Sequence, residues 1–386
     1  MYAYVSGWNK SNDGSGTFGI TVYRVDEEKG SLEEIERVCP DNIFNVTYYD
    51  NKRHMLYALE EVGENKDFRS GGGGRIFVFK ADPAAGTLRE VDCRATWSPS
   101  PCYLGIDDTG RYLMVTHHGS YNAATKIEQD ENGKFYPVIV YDDMPIELFA
   151  LDEEGHIGEL LDIVKCTGDG PEKRQVHAHP HTVVKSPSGA LYAVCDKGSD
   201  TVSMYGIDIP ESGKASIKKP EHVYKHKPGT CPRYCVFHPY NKWFYHNDEA
   251  DGLIHFFNYG EDGTLEMVES VSALIGQGES KEKGLEQQGF VIDGEGKFIY
   301  SVVRGPGVVA VMKVDSESGK LKAIQNRSID GLWPRGCALT PDGRYLFICC
   351  RDSGDIISIN VNEDGTLGGK EQHFANPNAA YITFSC

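Results

Sequence analysis

The sequence predicts an all-β fold: a seven-bladed β-propeller, four antiparallel strands per blade, its ring closed by N- and C-terminal strands sharing one blade. Three observations carry this. A strand-turn-strand pattern recurs six times, most copies are followed by an alternating apolar strand and then a Gly-x-Leu turn, and the two chain ends together supply the strands of a seventh unit. Four short strands repeating every ~50 residues are the sequence mark of propeller blades. Hardly any helical periodicity competes with that pattern.

In chain order, the hairpins turn at Asp50-Asn51-Lys52-Arg53, Asp108-Thr109-Gly110, Pro187-Ser188-Gly189, Pro239-Tyr240-Asn241, Asp293-Gly294-Glu295-Gly296 and Pro341-Asp342-Gly343. Residues of these types make tight turns between apolar runs. A third strand follows at Gly74–Phe79, Val202–Tyr205, Leu253–Phe257, Val308–Met312 and Asp355–Ile359. Next come Gly86-Thr87-Leu88, Gly263-Thr264-Leu265, Gly319-Lys320-Leu321 and Gly365-Thr366-Leu367, each leading into a more polar fourth strand. The seventh unit is split: Asn376–Phe384 reads as its first strand, and Met1–Val5, Gly19–Tyr23 and Leu32–Glu36 as its second to fourth. Closing the ring this way hides the sheet edges. Residues 1–386 read as one domain, with a polar insertion at about 120–141 ahead of a strand at Met144–Ala150. Long insertions in compact folds are functional lids or disordered loops, and this one directly follows His118, within reach of the mouth of the ring.

Counted from the last turn residue of each hairpin, Asn45, Cys102, His181, Arg233, Gln288 and Arg335 stand eight residues before it, and Glu61, His118, Lys197, Glu249, Arg304 and Arg351 eight after. Positions equally far from an antiparallel turn lie at the same open end of the hairpin. A ring of hairpins therefore gathers these side chains at one mouth. They differ from copy to copy while the rest of the pattern repeats, which marks them as the candidate site.

A formal net charge of −18 argues against nucleic acid or an anionic membrane as partner, and makes arginines at the mouth stand out. No apolar run reaches the ~18 residues that span a bilayer. The N-terminus lacks a basic region followed by an apolar core, so the chain reads as cytoplasmic. Its eleven cysteines lack zinc-site spacings, and Cys195 and Cys349 fall in apolar strands, where a thiol packs as a small hydrophobe. They read as reduced structural thiols. His177, His179 and His181 alternate, yet no carboxylate or cysteine stands at a matching spacing, so neither metal nor other cofactor is expected.

The motifs Pro180-His181-Thr182-Val183, Pro232-Arg233-Tyr234 with Asn247-Asp248-Glu249, and Val302-Val303-Arg304-Gly305 resemble those of the seven-bladed lactonase family. That family includes propeller-type 6-phosphogluconolactonases and the fungal-type 3-carboxy-cis,cis-muconate lactonizing enzyme, a cycloisomerase. The resemblance spans essentially the whole chain, including Leu56-Tyr57-Ala58 and the Gly-x-Leu repeats. It implies that His181, Arg233, Glu249 and Arg304 are active-site residues lining the central channel without a metal. The chain departs from the family at Thr116-His117-His118, where relatives often have Ala-Asn-Tyr, and at Arg304-Gly305-Pro306-Gly307, where they often have Arg-Gly-His-Asn. Lys197 and Arg351 also replace residues that are usually apolar or amide.

Opening a lactone requires an activated water, charge to stabilise the oxyanion and groups that hold an anionic handle. His181 or Glu249 can act as the base. With an unperturbed pKa of about 6.5, His181 suits proton transfer, while Glu249 among arginines stays ionised and orients it or the water. Arg233 and Arg304 offer planar forks for carboxylate or phosphate. Arg233 with Glu249 also reads as a structural ion pair between the two innermost strands of a blade. Glu61, His118, Lys197, Gln288, Arg335 and Arg351 complete the expected substrate-binding set. The expected activity is hydrolysis of a sugar lactone, 6-phosphogluconolactone first, by a monomer or small homo-oligomer whose partner is a small anionic lactone or dicarboxylate. Two alternatives are a carboxymuconate cycloisomerase and a non-enzymatic binding scaffold. A scaffold would show an apolar and aromatic patch on one face, which the repeat pattern lacks.

Overall fold

Seven antiparallel sheets succeed one another in the computed structural model, which describes residues 1–8, 19–64, 71–277 and 284–385. Numbered by their inner strands, blade 1 begins at Phe44–Asp50, blade 2 at Pro101–Ile106, blade 3 at Pro180–Lys185 and blade 4 at Pro232–Phe237. Blade 5 begins at Glu286–Ile292, blade 6 at Pro334–Leu339 and blade 7 at Ala379–Phe384. Each inner strand contacts that of the next blade, and the last of them meets the first, so the sheets form a closed ring. Closure comes from both chain ends: Ala3–Gly7 pairs with Ala379–Phe384 on one side and with Gly19–Tyr23 on the other. The seven-bladed expectation and the split seventh blade are both met.

The inner hairpins share one irregularity. In blades 1 to 6 the ladder shifts register near the mouth, between Phe44 and Thr47, Pro101 and Tyr103, Pro180 and Thr182, Pro232 and Tyr234, Gln287 and Phe290, and Pro334 and Cys337. Each shift is a β-bulge, and its extra residues include Asn45, Cys102, His181, Arg233, Gln288 and Arg335 in turn. A bulge kinks its strand and re-aims a side chain. In blades 2, 3, 4 and 6 the residue just before the bulge is proline, which has no N–H to offer the ladder.

The Gly-x-Leu turns join neighbouring blades. The Tyr57 hydroxyl donates to Gly155 O at 2.7 Å, Tyr245 to Gly319 O at 2.8 Å, Tyr300 to Gly365 O at 2.9 Å and Tyr345 to Glu28 O at 2.8 Å. Tyr2 reaches Ala84 O in the same way. In each case a second-strand tyrosine crosses to the turn between the third and outer strands of the next blade. At Gly86 both constraints on the turn are visible: φ is +78°, and an added Cβ would lie 2.3 Å from the Tyr2 ring. The apolar cores likewise lie between blades, as where Tyr57, Leu59 and Val78 of blade 1 pack with Leu104, Val115 and Phe149 of blade 2.

Two elements differ from expectation. Within the insertion, Ala123–Gln129 and Phe135–Tyr141 form a two-stranded sheet of their own. That hairpin stands in solvent, with Ile127 76% and Phe135 68% exposed, and only its stem residue Tyr121 lines the mouth cavity. In blade 3 the outer strand is broken into Ser216–Lys218 and Val223–Lys225, with Pro220 in the gap. No helix among the described residues is long and apolar enough to cross a membrane.

Candidate active site

Three of the bulged residues, His181, Arg233 and Arg335, meet Glu61, His118, Lys197, Glu249 and Arg304 from the ends of the second strands in a cavity of about 650 Å³, while the bulged Asn45 and Cys102 are buried away from it. The backbone sets the second group: Glu249 N donates to Cys231 O, Lys197 N to His179 O, His118 N to Ser100 O and Glu61 N to Ile43 O. Six cations (Lys173, Arg174, Lys197, Arg233, Arg304, Arg335) face four carboxylates (Glu61, Glu172, Glu249, Glu286) across the cavity wall. On a chain of net charge −18 this is a cationic mouth.

Glu249 is the hub. Its carboxylate receives Arg174 Nη1 at 2.6 Å, Arg233 Nη1 at 2.9 Å and Lys197 Nζ at 3.3 Å. Burial pushes its pKa up, but Lys197, Arg233 and Arg174 outweigh that and hold it well below the usual carboxylate range. Glu249 is therefore an anchor for cations and a poor base. Glu61 differs. Burial raises its pKa, and the nearby Arg335, Arg233 and Lys197 only partly offset the rise. Arg335 Nη2 donates to its Oε2 at 3.1 Å.

His181 is buried, and its Nε2 accepts a hydrogen bond from Arg233 Nε at 3.1 Å. Burial, Arg233, Lys197 and His118 hold its pKa well below 6.5, so the ring is neutral at pH 7. The expectation of a freely titrating His181 is corrected to a neutral imidazole tied to an arginine. His118, 5.9 Å away between ring centroids, is also held neutral by burial, Lys197 and His179. Its Nδ1 donates to Gly119 O at 3.1 Å, which fixes the tautomer and leaves Nε2 as the acceptor. His179 Nδ1 donates to His118 O, while the two nitrogens of His177 engage Ala178 O and Ser120 O at 2.7 Å each.

On the opposite wall, guanidinium and indole groups interleave. The Arg304 and Arg351 guanidiniums lie 3.3 and 3.4 Å from the centre of the Trp333 ring, which requires opposite faces. Trp8 stacks nearly parallel to Trp333 at 6.3 Å, and Arg335 lies 3.9 Å over Trp8. Arg304 is further held by Glu286 at 3.0 Å and by Pro334 O at 2.9 Å. Burial together with the like charges of Arg233 and Arg335 lowers its pKa to about 9. A bound anion would relieve that repulsion.

Of the predicted set, His181, Arg233, Glu249, Arg304, Glu61, His118, Lys197 and Arg335 all line the cavity. Gln288 and Arg351 do not. Gln288 is fully buried outside the cavity wall, with both amide atoms unpaired. Arg351 lies against the Trp333 face opposite Arg304, its Nε 2.5 Å from Asp352. Sequence reasoning missed Trp8, Tyr121, Arg174, Glu286 and Trp333, which line the same cavity. Trp333, just before the Pro334-Arg335 pair, was within reach of the hairpin count. Arg174 comes from the connection ahead of blade 3 and lies outside any repeat.

Comparison with known proteins agrees with this architecture. A 6-phosphogluconolactonase of Bacillus subtilis is 24% identical over 355 residues, covering 90% of this chain and 89% of the relative. One of Formosa agariphila is 24% identical over 345 residues, covering 88% and 87%. Among solved structures, the periplasmic gluconolactonase of Pseudomonas aeruginosa superposes with a TM-score of 0.81 at 20% identity, over 99% of this chain and 98% of that one. The profile of the family described as "Lactonase, 7-bladed beta-propeller" matches residues 3–384, and the chain belongs to that family.

Proposed function

We propose that the cavity binds an anionic sugar lactone and hydrolyses it, with 6-phosphogluconolactone as the leading substrate. The observation that carries this is the crowding of Arg233, Arg304 and Arg335 around one buried cavity, where burial and then the like charges of its two neighbours hold Arg304 low. Such a cluster is organised for a multiply charged anion before the anion arrives. The names of the Bacillus and Formosa relatives support the same substrate.

In this reading Arg304 and Arg335 hold the phosphate, and the carbonyl points at Arg233 and Lys197. Water oxygen attacks the carbonyl carbon and gives its proton to a neutral imidazole, and the oxyanion is met by the two cations. Collapse breaks the ring C–O bond, and the proton passes to the departing alkoxide. The products are a hydroxyl and a carboxylic acid, which releases its proton to solvent and leaves as the carboxylate. His181 takes the proton as Arg233 turns from its Nε2 to the oxyanion. The open Nε2 of His118 favours a second acceptor beside it. Glu249 positions Arg233 and Lys197. We further read residues 1–386 as one domain, active as a monomer or small homo-oligomer. The ten described cysteines are free thiols, which fits the cytoplasm.

The test is to follow hydrolysis of 6-phosphogluconolactone and cyclisation of 3-carboxy-cis,cis-muconate with one preparation at pH values between 6 and 8, with and without a brief chelator treatment. Lactone hydrolysis without muconate turnover, unaffected by chelator, is expected. Muconate turnover alone moves the assignment to a cycloisomerase, and turnover of neither overturns both enzyme readings.

A further inference from the structure

A second cluster of ligating side chains lies outside the cavity, where the edge of blade 3 meets blade 4. His226 follows the outer strand of blade 3, and His246 and His255 come from the second and third strands of blade 4. All three are buried, and one nitrogen from each lies within 4.8 Å of the others. The ring centroids form a nearly equilateral triangle with sides of 4.8, 4.7 and 4.8 Å. Three imidazoles bound to one zinc at about 2.0–2.1 Å would place their centroids roughly 5 Å apart.

The surroundings match this chemistry. Asp248, fully buried, has Oδ2 2.5 Å from His255 Nε2 and Oδ1 3.4 Å from His246 Nδ1. His246 Nδ1 donates to Asn247 O at 3.5 Å, which sets the tautomer that leaves His246 Nε2 with its lone pair free, and the Asp248 carboxylate beside Nδ1 favours the same form. That Nε2 faces His226 Nε2 at 3.0 Å, against the ~3.3 Å that two ligands of a tetrahedral zinc keep. Ser270 Oγ holds His255 Nδ1 at 2.6 Å, so an ion would reach His255 only at Nε2, in place of that nitrogen's contact with Asp248 Oδ2. Phe257 and Tyr224 pack against the His226 ring and form an apolar shell around the site.

We propose that His226, His246 and His255, supported by Asp248, form a structural site for a divalent transition ion of the zinc class. The ion would tie blade 3 to blade 4 and fix the turn after Asp248 that carries Glu249. The alternative is a metal-free hydrogen-bonded chain running Ser270–His255–Asp248–His246–His226.

The experiment uses untagged full-length protein loaded with zinc, dialysed against metal-free buffer and analysed for metal content. Cobalt(II) is added to chelator-stripped protein in parallel. About one retained zinc per chain is expected, with visible absorption of four-coordinate cobalt and a thermal midpoint several degrees higher with zinc than without. His226→Gln with His255→Gln should abolish the retention and the cobalt bands. His156→Gln, which alters the exposed Asp152, Glu154 and His156 group, should leave both intact. Less than a tenth of an equivalent retained by wild type overturns the proposal. So does retention that survives loss of both histidines, or that disappears in His156→Gln.

Discussion

At the scale of single residues, electrostatics assigns different work to groups that look alike in the sequence. Arg304→Ala and Arg335→Ala each remove a charged fork from the buried site that holds the phosphate. They should raise KM for 6-phosphogluconolactone by about 10- to 100-fold, the size of 1.4–2.8 kcal/mol of lost binding. His181→Ala should instead lower kcat by at least ~10²-fold, the usual scale of a lost acid–base group, and wild-type kinetics in that variant would remove His181 from its assigned role. The pH profile follows from the imidazoles. The base must be neutral, and burial holds both His181 and His118 well below 6.5, so protonation begins only at more acid pH. The kcat/KM profile should therefore stay flat from pH 8 down to 6, and an inflection at 6.5 would contradict a buried base. Counting from the turns located eight of the cavity residues because antiparallel pairing is symmetric. It misplaced Asn45, Cys102, Gln288 and Arg351 because counting cannot tell a side chain on the cavity wall from one lodged beside it. The bulges that aim His181 and Arg233 were also invisible, since an extra residue in a ladder leaves no mark in composition.

At the scale of elements, the repeats have a mechanical meaning that only the neighbouring blade reveals. Gly86 needs a positive φ and also sits under the Tyr2 ring, so Gly86→Ala pays both for a left-handed backbone and for overpacking. A loss of about 2–4 kcal/mol is expected by denaturant titration. Glu147, on the third strand of blade 2, is fully buried, and its Oε1 accepts Trp97 N at 2.8 Å. Burial raises its pKa from 4.5 to about 8. The native state thus favours the protonated acid: its contribution to stability is complete below pH 4.5 and is lost as pH rises through 8. Glu147→Gln keeps the acceptor and removes the titration, so it should stabilise the protein by about 1–3 kcal/mol at pH 8 and leave it nearly unchanged at pH 4.5. Thermal melts across that range would show it. The hairpins and third strands were legible from their periodicity. The insertion's own hairpin was not, because its strands mix charged and apolar residues without a buried face to enforce alternation.

At the scale of the molecule, seven sheets closed by both termini present one cationic cavity on an acidic body. The closed ring could be read from the sequence because each blade repeats. The inventory of the mouth could not be completed, because Arg174 enters from a connection outside the repeat, and Trp8 follows the second strand of the blade split between the chain ends, which has no hairpin turn to count from. The central claim is that this mouth selects a lactone by its anionic handle and opens it. The most direct measurement is kcat/KM for 6-phosphogluconolactone and for unphosphorylated gluconolactone, in wild type and in Arg304→Ala. Wild type should prefer the phosphorylated lactone, and Arg304→Ala should cut that preference at least tenfold, about 1.4 kcal/mol. Equal turnover of both lactones by wild type, or a preference unchanged in Arg304→Ala, would contradict the claim.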